Sequence, residues 1–107
     1  MDSGVRAMVE AVGEAQRQLR ENALPKVREN RDRVAETEEA ALLAALAGLV
    51  DAAGELAEGL VDRIDTPDTR KVYLWAGKRL REQAGHLRND ERQVSAGVKP
   101  AGPAKTP

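Results

Sequence analysis

The chain has 107 residues and a formal net charge of −1, with one histidine, one tyrosine, one tryptophan and neither cysteine nor phenylalanine. Without cysteine there is no disulfide framework and no thiolate metal site, and a lone His86 cannot build a histidine-rich one. Ala, Leu, Glu and Arg abound while β-branched and aromatic residues are scarce, which argues against a sheet and for an all-α class.

From Val5 to Ala23 the residues Val5, Met8, Val12, Ala15 and Leu19 recur at three- and four-residue steps, the stripe of an amphipathic helix near 4–23. Pro25 lacks an amide donor and disfavours helical geometry in the residue before it, so a break or kink is expected there, with Pro25 opening a second helix near 26–65. Through "KVRENRDRVAETEEA" only Val27, Val34 and Ala41 are apolar, seven apart, a narrow seam of coiled-coil type. The competing reading of 26–41 is a hinged connector.

Beyond it, Leu42, Leu46, Leu49, Ala53, Leu56, Leu60 and Ile64 share one face, widened by Leu43, Val50 and Val61. An arc that wide calls for at least two neighbouring helices. The tetrapeptide "GLVD" occurs at 48–51 and again at 59–62, an eleven-residue repeat that nearly returns to the same angle. Gly48, Gly54 and Gly59 each cost a helix interior about 1 kcal/mol relative to alanine, a cost that close approach by another helix would explain.

"DTPDTRK" marks a third helix near 67–95: Thr66 can cap, Pro67 suits the first position and Asp68 favours the helix dipole. Gly97 is the expected stop, and residues 97–107, "GVKPAGPAKTP", have the composition of a disordered tail. The expected whole is one helical domain over 1–96, a long hairpin or three-helix bundle with coiled-coil character.

Both aromatics of the chain sit in "VYLWAG" at 72–77. Val72, Ala76, Leu80, Ala84, Leu87 and Val94, with Tyr73 at the edge, form a stripe suited to packing on the second helix, and Leu74 and Trp75 fall off it. Arg70, Lys71, Lys78, Arg81, Arg88 and Arg92 gather on roughly the opposite side, so Leu74 and Trp75 beside this basic face form a candidate partner-binding patch. Residues 41–66 hold five acids and one base, whereas 67–107 hold four acids and nine bases. Asp51, Glu55, Glu58 and Asp62 form an acidic face opposite the leucines, and the acidic face of one copy is expected to meet the basic face of another.

No glycine-rich phosphate loop, HExxH or GxSxG motif occurs, and His86 has Glu82 four residues before it instead of the Glu-x-x-His of a di-iron bundle. The chain reads as non-catalytic, without cofactor or metal: a helical assembly or adaptor protein that associates with itself or another helical protein. A nucleic-acid-associated regulator is the second reading, because the third helix and tail carry arginines at helical spacing with an aromatic beside them. The N-terminus "MDSGVRAMVEA" has no basic n-region or apolar core, and the longest uncharged run, Ala40 to Val50, is short for a membrane span, so a cytoplasmic protein without a membrane partner is expected.

"WAG" at 75–77 resembles the W-x-G tripeptide of the type VII secretion substrates that fold as helical hairpins of about this length. The match covers three residues, lies well inside the last helix instead of at the turn, and lacks the tyrosine followed by an acid four residues later. What it implies, if extended, is a small helical secretion substrate with a heterodimeric partner.

Overall fold

The computed structural model describes residues 3–29 and 33–97, and every regular element among them is helical. The chain divides into two compact units, residues 1–33 and 34–107. The first unit runs from α1 (Ser3–Gln18) through a π-helical turn (Leu19–Ala23) into α2 (Leu24–Glu29). The expected break before Pro25 is therefore not a helix end. The Leu24 amide reaches back five residues to the Leu19 carbonyl, and this wider turn accommodates a proline that offers no donor of its own and would crowd the carbonyl four residues back. No described residue of this unit is fully buried, and Val5, Val9, Val12 and Leu19 are all exposed.

The second unit is a helical hairpin of α3 (Glu36–Leu60) and α4 (Pro67–Ser95), joined by a 3₁₀ turn (Val61–Arg63). Residues 33–35 are not helical, so the continuous helix expected near 26–65 is interrupted and Val34 lies outside the proposed seam. Ala35 is extended, and its carbonyl accepts from the Glu38 and Glu39 amides at 2.8 and 3.1 Å. Glu36, Glu38 and Glu39 place three acids on the positive end of the α3 dipole. Thr66 occupies the N-cap of α4 through its backbone, accepting from Arg70 at 2.9 Å, but its side chain makes no capping hydrogen bond. At the other end Gly97 takes φ +76°, the left-handed geometry that closes a helix, and its amide donates to Val94 at 3.0 Å. Residues 98–107, where most of the tail falls, lie outside the described residues.

Small residues make the inner contact. Ala47 and Gly54 of α3 and Gly77 and Ala84 of α4 are the buried residues of the hairpin, seven apart on each helix. Around them Leu43, Val50, Ala57 and Val61 are half-buried, as are Tyr73, Ala76, Leu80 and Leu87. Only part of the wide apolar arc of α3 is covered: Leu43, Val50, Leu56 and Leu60 are half-buried, whereas Leu42, Leu46 and Leu49 are turned outward, 54%, 46% and 41% exposed. Val72, expected on the inner stripe, is exposed. The reason lies in Gly54 and Gly77, because helices that meet on their smallest residues approach most closely and thereby rotate the bulkier leucines off the contact line.

Candidate helix-contact site

The hairpin contact is built from two reciprocal pieces of sequence, Gly54-x-x-x-Glu58 on α3 and Gly77-x-x-x-Arg81 on α4. Each glycine is a bed for the charged arm of the other helix. A β-carbon at Gly77 would stand 2.5 Å from Cγ of Glu58, and one at Gly54 would stand 2.9 Å from Cδ of Arg81, with the facing glycine's carbonyl oxygen 3.1 Å away in both cases. Gly48 and Gly59, expected to mark close approach as well, have nothing within 4 Å of such an atom, so the packing argument applies to neither.

Lying across Gly54, the Arg81 guanidinium spans two acids of α3: Nε is 2.8 Å from Asp51 and Nη1 2.9 Å from Glu58. Arg88 approaches the second Asp51 oxygen at 3.5 Å. The charge of Asp51, then that of Glu58, pushes the Arg81 pKa up from its ordinary value. Near the turn, Arg70 donates from Nε to the Val61 carbonyl at 3.2 Å and stands 3.5 Å from Asp62, so a cation meets the negative end of α3.

These pairs give the two aspartates of the "GLVD" repeat a common role. Asp51 and Asp62 are eleven residues apart, as are Arg70 and Arg81, and in an antiparallel hairpin each aspartate meets an arginine in one shared register. That spacing of the arginines, which continues to Arg92, was a legible signal, as were the two Gly-x-x-x-charge pieces. The structure thus brings Asp51, Glu58 and Asp62 together with Arg81, Arg88 and Arg70 inside one chain. Among the described residues Glu55, Lys71 and Arg92 form no ion pair within 4 Å.

Trp75 and Leu74 are exposed, at 55% and 39%, and the Lys78 ammonium lies 5.4 Å from the Trp75 ring centroid, within cation–π range. His86 is exposed, and no group of three or more potential metal ligands occurs among the described residues. The stretch Glu36–Arg63 is long and apolar enough to cross a membrane by length and composition, a test that core helices of soluble proteins also pass.

Comparison of the chain with protein-family models, curated proteins and solved structures finds no match.

Proposed function

We propose that this chain is a non-catalytic helical assembly protein whose hairpin associates through the outward leucine side of α3, giving a bundle of coiled-coil character. The observation that carries the reading is the exposure of Leu42, Leu46 and Leu49 in a hairpin whose only fully buried apolar side chains are Ala47 and Ala84. Two alanines and two glycines, ringed by side chains that are only half-buried, bury little apolar area against the ordering of some sixty residues. Covering the leucines supplies what the hairpin lacks. Self-association is favoured because the charges that would repel or misdirect a second copy are matched within the chain.

Size exclusion with light scattering at low and high salt tests this, with Trp75 emission read on the same peaks. A salt-resistant oligomer with red, quenchable Trp75 fluorescence is the expected result. A monomer overturns the reading, and a monomer that sediments with phosphatidylcholine–phosphatidylglycerol vesicles would assign the leucine side to a lipid surface.

A second reading rests on a different observation, the Lys78–Trp75 pair with Lys71 one turn before it, an exposed cation–aromatic set that the hairpin's ion pairs do not use. Such a surface suits stacking and phosphate contact with single-stranded nucleic acid. If it serves that role, purified protein carries absorbance at 260 nm that high salt removes.

A further inference from the structure

The outward side of α3 reads nearly alike in both directions from its middle. Counting outward from Ala53, Leu56 lies three residues away, Leu49 four, and Leu46 and Leu60 seven on either side, while Val50 and Ala57, half-buried toward α4, border these positions. Steps of three, four and seven return an α-helix to one side, so Leu46, Leu49, Ala53, Leu56 and Leu60 form a single stripe with Ala53 at its centre, which Leu42 continues at one end.

We propose that two copies of the chain pair antiparallel along this stripe, with a two-fold axis passing beside Ala53, so that two hairpins form a four-helix bundle. The proposal rests on the self-association reading above and specifies its surface and register. Under that axis, Leu46 of one copy meets Leu60 of the second, and Ala53 meets itself. A large residue then faces a large one at both ends, while the two small residues at the axis allow the backbones to come close.

Charge agrees with this geometry. Between Ala40 and Leu60 the charged residues are Asp51, Glu55 and Glu58. Asp51 and Glu58 are turned toward Arg81, and Glu55 follows on the same flank, so no charge enters the stripe. The same register brings the first turn of α3, Glu36 to Glu39, to the turn end of the second copy, where Asp62, Asp65 and Asp68 balance Arg63, Arg70 and Lys71, so the pairing is set by the uncharged stripe and not by net charge at its ends. The leucine side extends roughly 27 Å by 20 Å, from the rise and diameter of two adjacent helices. That is of the same order as the ~800 Å² per partner of a stable interface once its corrugation is counted.

Because the chain has no cysteine, single introduced thiols report contacts directly. In the full-length chain, Ala53→Cys is expected to form a disulfide-linked dimer on mild oxidation, with circular dichroism unchanged. Leu46→Cys alone and Leu60→Cys alone are expected not to cross-link, because each would lie about 21 Å from its own copy across the axis. An equimolar mixture of those two variants, exchanged before oxidation, is expected to yield the heterodimer. A native chain that stays monomeric by light scattering overturns the self-association reading and the dimer with it. An oligomer in which Leu46→Cys links to itself, or in which Ala53→Cys does not link, keeps self-association and overturns the antiparallel pairing.

Discussion

Along one flank of the hairpin, Asp51, Glu58 and Asp62 of α3 are matched by Arg81, Arg88 and Arg70 of α4; along the other, Leu42, Leu46 and Leu49 stand largely exposed. The two flanks are stabilised by different physics. An ion pair is short-ranged and directional, so one guanidinium fork satisfies two carboxylates within a single chain. Apolar area has no such local solution, because it must be covered over its whole extent by something of similar size. The charged flank thus favours one register of the hairpin, and the apolar flank is the surface proposed for association.

The largest effect that could break this comparison comes from Leu46→Glu with Leu60→Glu. Charges on the apolar flank are expected to weaken self-association by more than about a hundredfold, read by dilution in light scattering, since each carboxylate would lose water on assembly. Unchanged association would mean that the leucines are not the contact.

Gly77→Ala acts on the line between the flanks. The new methyl displaces Glu58 and separates the helices, so a loss of about 1 kcal/mol or more is expected in urea unfolding even after the helix-propensity gain. Gly59→Ala, with open space around it, is expected to do the reverse and raise stability by up to about 1 kcal/mol.

Arg81→Gln addresses the charged flank alone. It is expected to lower the thermal midpoint and flatten its dependence on salt, because the fork to Asp51 and Glu58 is the part that salt screens. The oligomer mass at equal folded fraction is expected to stay the same, which separates the two flanks.

The smallest effect sharpens the comparison with charges inside one helix. Arg17 and Gln18 donate to Glu14 and hold its carboxyl down from an ordinary 4.5 to about 2. A depressed pKa means that the ionised form is favoured in the helix, so its contribution is present above pH 4.5 and is lost as pH falls through about 2. A small loss of ellipticity over that window is expected in the native chain and should vanish in Glu14→Gln.

Much of the helical layout follows from residues that act over one turn. Pro67 with Asp68 starts α4, Gly97 stops it, and the four-residue leucine steps are helical wherever they point. Pro25 marked a disturbance for the same local reason, but its form, a π-helical turn just before it, is an accommodation that no propensity announces. The outward Trp75 and Leu74 were legible too, because their angle on α4 follows from its period alone. What the sequence by itself determined is therefore the helical class, the start and stop of α4 and the sign of charge on the faces of α3 and α4, but not the interruption at 33–35 or the outward turn of Val72. Tertiary structure alone decided which face of α3 meets α4. A wheel ranks faces by hydrophobicity, whereas two helices settle where Gly54 and Gly77 let the backbones approach and where Arg81 reaches both Asp51 and Glu58. Close approach and charge matching are properties of the pair, and neither helix carries them alone.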